Sequence, residues 1–227
     1  MAGGRGGLIL SVLLAGLTLT IVSRVQLVLP EGGGGMTIRG VWDRLPRPLR
    51  RLLVSDIFIR TCEGLVDVFL VIYALNVIGI RPPQYGVLVG VQMATAIACY
   101  LPIARLADRI ARKPFVIATF LAFSAFPVAV IASRSFPALV LAFVIGGLRE
   151  LGEPARKAMI VDLAEPAVRA RSIELYYFVR SVAIAPAATV GGLLWRTAPA
   201  IPFIVAGTVG LIGTAIFSLT VDERYAG

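Results

Sequence analysis

"DIFIRTCEGLVDVF", residues 56–69, places Asp56, Arg60, Glu63 and Asp67 inside a run that is otherwise apolar enough to cross a bilayer. A charge at the centre of a bilayer costs roughly 2.5–3.5 kcal/mol on insertion scales. Four on one helix therefore need a common surrounding that offsets the cost. At about 100° per residue the four fall near 0°, 40°, −20° and 20° around a helix, a single narrow stripe. Ile57, Phe58, Leu65, Val66, Phe69 and Leu70 lie mostly around the rest of the circumference. The stripe is expected to face water or other charges, and the remainder lipid or neighbouring helices.

The rest of the chain agrees. Its 227 residues are 58% hydrophobic and 15% charged, with a mean hydropathy of +0.87. Soluble domains are about 45–50% apolar and 25% charged. So apolar a chain cannot hide its side chains in one water-soluble core, and the expected fold class is an all-α, polytopic membrane helical bundle. The net charge of +9 and pI near 10.4 would suit a nucleic-acid binder, but the basic residues sit in short loops between apolar spans, where they report topology. Nucleic acid is not an expected partner; the lipid bilayer is. Cys62 and Cys99 both lie in spans and read as small apolar fillers. The chain has no histidine, which excludes imidazole catalysis and histidine proton relays. No metal site or cofactor is expected.

Seven apolar stretches have the roughly 17–25 residues that a spanning helix needs. The first, residues 8–29, stands apart. A low-complexity "EGGGG" and a basic linker, "MTIRGVWDRLPRPLRR", follow it. One reading of residues 8–29 is a cleaved signal peptide, with Arg5 in its n-region; the absence of an A-x-A-type site favours a retained helix. Met36 is an alternative start. Six further spans are expected at 52–79, 85–104, 115–133, 137–163, 172–195 and 199–220, joined by short connections that make neighbours antiparallel. The expected organisation is an N-terminal helix over 1–30, a linker over 31–51, a six-span unit over 52–221 and a tail over 222–227. Pro102, Pro127, Pro154 and Pro186 fall inside spans, where neighbouring helices can satisfy the freed carbonyls. Gly86 with Gly90, and Gly207, Gly210 and Gly213, read as close helix packing.

Arginine and lysine alternate in density from loop to loop. Arg24, Arg39, Arg44, Arg47, Arg50 and Arg51 crowd the linker; Arg105, Arg109, Arg112 and Lys113 the next dense loop; Arg149, Arg156, Lys157, Arg169 and Arg171 the segment 149–171. The loops between carry Arg81, Arg134 and Arg196, one each. By the positive-inside rule the dense loops and the C-terminal "DERYAG" are cytoplasmic, in the plasma (inner) membrane. If residues 8–29 span, the N-terminus lies outside.

The loop "ARLADRIARKP", residues 104–114, carries a pattern of its own. Asp108, Arg109, Arg112 and Lys113 match the loop signature G-x-x-x-D-[RK]-x-G-[RK]-[RK] of the major facilitator superfamily, with Ala104 and Ala111 in place of its glycines. An aspartate at a span end can pair with basic residues and helix termini across the bundle and latch a cytoplasmic gate; the plain alternative is a solvated loop that only fixes topology. "GGLRELGEPARKAMIVDLAEPAVRAR", residues 146–171, resembles the fourth and tenth spans of that superfamily and the loop after them. The "APAATVGG" of residues 185–192 echoes its antiporter signature only faintly, and antiport is not inferred. The resemblance covers residues 52–220 and implies one six-helix half of a twelve-span transporter, the two halves being parallel repeats. The six spans then correspond to the seventh to twelfth, and the N-terminal helix and linker to the sixth and the central loop.

In that superfamily the first and seventh spans line the central cavity, so the resemblance gives the charged stripe a place. At 1.5 Å per residue from Leu52, Glu63 is about 16 Å and Asp67 about 22 Å deep, near and beyond the middle of a 30 Å core. Glu63 and Asp67 are expected to line a substrate or proton path, with Arg60 as local counter-charge; desolvated carboxylates are suited to proton coupling. The alternative is a structural ion-pair ladder. Arg180, with Tyr176 one turn before it, is expected either to bind an anion or to pair with Glu63 or Asp67. Asp56, Arg149, Glu150 and Glu153 are expected to form gating pairs. Tyr73, Asn76 and Gln92 can hydrogen-bond a solute or a neighbouring helix.

The leading expectation is a secondary active transporter, or half of one, moving a small solute by alternating access, completed by a parallel homodimer or by a partner supplying the other half. The runner-up is a truncated half surviving as a non-transporting bundle or interaction subunit. An intramembrane enzyme has little support, since no Ser/His pair exists and no carboxylates come with metal-ligand company.

Overall fold

A computed structural model describes residues 42–43, 45–109 and 111–222, and for residues 101, 104, 107 and 108 the backbone alone. The expected N-terminal helix over 1–30 and most of the linker lie outside the described residues.

Every described element is a helix or a helical turn. The first, α1 (Arg47–Ile72), starts behind Pro46 and carries a proline in its first turn, where the missing N–H costs nothing. It runs on through a π-helical segment, Tyr73–Ile78, which Gly79 ends at φ 81°, a backbone conformation suited to glycine. There follow α2 (Pro82–Arg109), α3 (Lys113–Ala132), α4 (Phe136–Gly147), α5 (Glu153–Leu163), α6 (Arg169–Ile184), α7 (Ala187–Trp195) and α8 (Ile201–Thr220). Ser135 caps α4 by accepting the Ala138 N–H on its hydroxyl. Four of these stretches are long and apolar enough to cross a membrane: Arg47–Ile78, Lys113–Ala132, Pro166–Trp195 and Ile201–Thr220.

The expected spans 137–163 and 172–195 are each broken in two, and prolines mark both breaks. Between α4 and α5 the chain takes a 3-10 turn, Leu148–Glu150, and restarts with Pro154 in the first turn of α5. The Gly152 N–H is donated instead to Thr119 Oγ1 at 2.5 Å. A Cβ at position 152 would collide with the Phe115 carbonyl, so the break presses bare backbone onto α3. Between α6 and α7 the break falls at Ala185–Pro186. Pro102 and Pro127, in contrast, stay inside α2 and α3.

Helix α8 lies against both α1 and α3, α4 against α2 and α3, and α6 and α7 run along α1. Lipid is as apolar as leucine, so contact packing and interhelical hydrogen bonds must hold such helices together. The α8 glycines supply the close approach: a Cβ at Gly207 would stand 2.7 Å from Val128, at Gly210 2.6 Å from Ser124 Oγ, and at Gly213 2.7 Å from Phe58. Gly86 and Gly90 behave otherwise than their spacing suggests, because nothing lies within 4 Å of a Cβ at either. That face of α2 is open within this unit. Aromatic edges fill the interior, Phe120 on Phe217 and Phe126 on Phe143. Both cysteines are free, and Cys62 is a buried filler whose Sγ lies 3.4 Å from the Phe123 carbonyl.

The distribution of polarity is the reverse of a soluble protein's. Leu219 is 84% exposed, Ile97 72% and Leu141 68%, whereas Asp56 and Arg156 are sealed inside. Apolar surface on this scale belongs against lipid.

Candidate functional site

The charges inside the bundle form one chain of alternating sign. It begins at Asp67, whose carboxylate lies 3.8 Å from the Arg149 guanidinium. Arg149 reaches Glu63 at 3.4 Å, Glu63 meets Arg60 at 2.9 Å, and Arg60 meets Glu153 at 2.6 Å. Glu153 accepts from Arg156 at 2.7 Å, Arg156 donates to Asp56 at 2.8 Å, and Asp56 accepts from Arg180 at 3.1 Å. Four carboxylates and four guanidiniums alternate along this ladder, so its net charge is zero while the chain as a whole carries +9. The α1 stripe supplies half of it, and the other half comes from the broken fourth span and from α6.

Local structure explains why these side chains meet. On α1 the stripe spacing turns Asp56, Arg60, Glu63 and Asp67 the same way. Glu153 and Arg156 are three residues apart on α5, where Arg156 grips the Glu153 carboxylate through two nitrogens at 3.1 and 2.7 Å. Asp56 is the hub: besides Arg156 and Arg180, Tyr176 donates its hydroxyl to the same Oδ2 at 2.9 Å, and Arg60 lies 3.9 Å from Oδ1. Buried charges persist only when paired in this way. Aromatic faces cover the guanidiniums. Arg149 sits over Phe126 and Phe123, and Arg60 over Phe123; Arg180 lies over Tyr177 at 4.6 Å. Such stacking adds about 0.5–2 kcal/mol apiece, depending on desolvation.

The sequence-predicted residues fall into place unevenly. Arg60, Glu63, Asp67, Asp56, Arg149, Glu153 and Arg180 are all brought into the ladder. Arg180, expected either to bind an anion or to pair with Glu63 or Asp67, pairs with Asp56 instead, its helix α6 packing along α1. Glu150 stands apart, exposed and in none of these pairs; one residue past Arg149, the 3-10 turn points it elsewhere. Arg156 corrects the loop reading. It is a buried member of α5, with its side chain 2% exposed. Its spacing from Glu153 and Arg149, three and seven residues, was the available signal. Tyr73 packs on Phe203 and Trp195, an interhelical role, while Asn76 is exposed on the π-helical turn.

In the loop signature, Arg112 pairs with Asp162 near the end of α5, tying the α2–α3 connection to the fourth span. Arg109 is exposed, Lys113 opens α3, and the Asp108 side chain lies outside the described residues. Among the described residues no group of three His, Cys, Asp or Glu gathers to hold a metal.

The comparison with known proteins decides the family. A profile of the Major Facilitator Superfamily matches residues 52–227. The chain belongs to the major facilitator superfamily. An uncharacterized MFS-type transporter of Methanocaldococcus jannaschii is 23% identical over 184 residues, which cover 78% of this chain and 46% of that protein. The chain thus spans about half the length of that relative. It is a multi-pass membrane protein of this superfamily, and among the described residues the ladder gathers eight charged side chains.

Proposed function

We propose that the chain is one six-span wall of a secondary transporter that moves a small solute by alternating access, completed by a second copy in parallel or by a partner with the other half. The observation that carries this reading is Asp67. It sits about 22 Å along α1 from Leu52, yet its side chain is 48% exposed. A carboxylate exposed at that depth cannot face lipid without a large cost. It needs an aqueous path, and a second wall would enclose one.

The ladder supports a mechanism. Alternating access requires contacts that can be exchanged between two states, and a neutral alternating chain can trade partners without exposing net charge. Arg149 already lies between Glu63 and Asp67. The Arg112–Asp162 pair supports a cytoplasmic latch at the loop signature, with Asp56, Arg149 and Glu153 as gating pairs. Glu63 and Asp67 are the proton carriers of a coupled mechanism in this reading. The linker, the dense loops and the C-terminus face the cytoplasm.

A second reading, a non-transporting bundle or interaction subunit, draws on the same charge balance, since a neutral ladder also serves as a static brace. Proteoliposomes loaded with the purified chain and offered a solute panel at several pH values separate the two. Transport predicts saturable uptake, with two chains or a co-purified partner seen by native mass spectrometry. A single chain with no uptake of any solute contradicts it.

A further inference from the structure

We infer that Asp56 holds an internal water molecule on its Oδ1, at a site sealed between α1 and α6. The inference stands apart from the transport reading, because a moving gate and a static brace bury the same carboxylate. Asp56 is wholly buried, and its two oxygens are treated unequally. Oδ2 accepts from Arg156, Tyr176 and Arg180 at 2.8, 2.9 and 3.1 Å. Oδ1 accepts from nothing among the described residues. Arg60 presents its Nε to it at 3.9 Å, beyond hydrogen-bond range. Closing that gap would pull Arg60 off two other carboxylates, since its terminal nitrogens are held by Glu63 at 2.9 Å and Glu153 at 2.6 Å. The Arg60 Nε is itself buried and has no acceptor among the described residues.

An enclosed carboxylate oxygen without a donor beside an enclosed N–H without an acceptor calls for one molecule that donates to the first and accepts from the second. A separation of 3.9 Å lets a single water touch both. Two groups on α6 are in the same condition. Arg180 bonds Asp56 through Nη1 and leaves its Nε without an acceptor. Ser172, one turn before Tyr176 on the same face of α6, is wholly buried with its hydroxyl unpartnered. Charge narrows the ligand further. Arg60, Arg156 and Arg180 surround Asp56, so a cation would be repelled by three guanidiniums, and an anion would meet the carboxylate oxygen. A neutral molecule that both donates and accepts avoids both penalties, and the enclosure keeps it small. Buried waters hold about three hydrogen bonds each to groups of this kind. Bound here, the water ties α1 to α6 at the level where Asp56 gathers its donors.

The test compares two sources of hydroxyl radical on the full chain in nanodiscs, read residue by residue by mass spectrometry. X-ray radiolysis splits every water, ordered internal ones included, whereas photolysis of dilute hydrogen peroxide makes radicals only in the bulk. Tyr176, whose hydroxyl meets the same carboxylate, is as fully buried as Phe120 and Phe217, which stack on each other outside the ladder. The expected result is oxidation of Tyr176 by X-rays several-fold above Phe120 and Phe217, with all three alike under peroxide photolysis. Exposed Trp42 should be oxidised by both sources. Tyr176 as inert to X-rays as the two phenylalanines overturns the inference, because no water then sits beside it. Tyr176 as reactive as Trp42 to both sources also overturns it, because the hub is then open to bulk water and not a sealed site.

Discussion

Arg156 holds two carboxylates at once, Asp56 and Glu153, and is almost wholly enclosed. Its loss leaves Asp56 to Arg180 and Tyr176 and Glu153 to Arg60, so the enclosed group carries one negative charge too many, and unbalancing a buried pair costs up to about 3–5 kcal/mol. Arg156→Met should therefore lower the unfolding midpoint of the detergent-solubilised chain sharply, whereas Arg196→Met, at an exposed turn, should change stability by no more than about 0.5 kcal/mol. Asp67→Asn belongs with the second class: half-exposed and loosely paired, it should leave the midpoint nearly unchanged. The contrast follows from what the sequence could and could not show. Four charges on one helix face are visible from spacing alone, so the α1 half of the ladder was legible. Arg156 stands beside Lys157 and ahead of a basic loop, and it read as topology. That Arg180 chooses Asp56 depends on where α6 crosses α1, which no local pattern encodes.

Helical elements were legible for the same reason, hydropathy over a fixed length, and their interruptions were not. Pro102 and Pro127 continue their helices while Pro154 and Pro186 sit at breaks. At the first break the difference lies in the surroundings: Thr119 takes up the Gly152 N–H, and α3 presses where a side chain would be. Glycine spacing was equally ambiguous. Gly210→Val would drive its branches into Ser124 and should cost about 1–3 kcal/mol as overpacking. Gly90→Val meets open space and should leave the unfolding midpoint of the isolated chain unchanged or slightly raised. The same thermal assay reads both.

At the scale of the whole molecule, the alternation of arginine-rich and arginine-poor loops predicts an orientation that can be tested. With Cys62 and Cys99 replaced by alanine, single cysteines at positions 81, 134 and 196 should react with an impermeant thiol reagent from outside intact cells. Cysteines at 109 and 165 should react only after permeabilisation. The same background tests the central claim, that the α1 stripe opens to water at Asp67 while Val68 beside it faces lipid. The measurement is the rate at which a charged, membrane-impermeant methanethiosulfonate modifies Asp67→Cys in the nanodisc-embedded chain, against Val68→Cys and Val87→Cys. Val68 and Val87 are 58% and 54% exposed, so exposure alone would make all three react. The account predicts fast modification at 67 and little at 68 and 87, because only the first is wet. A cysteine at 67 as inert as those at 68 and 87 would make the ladder a dry brace and contradict the aqueous path.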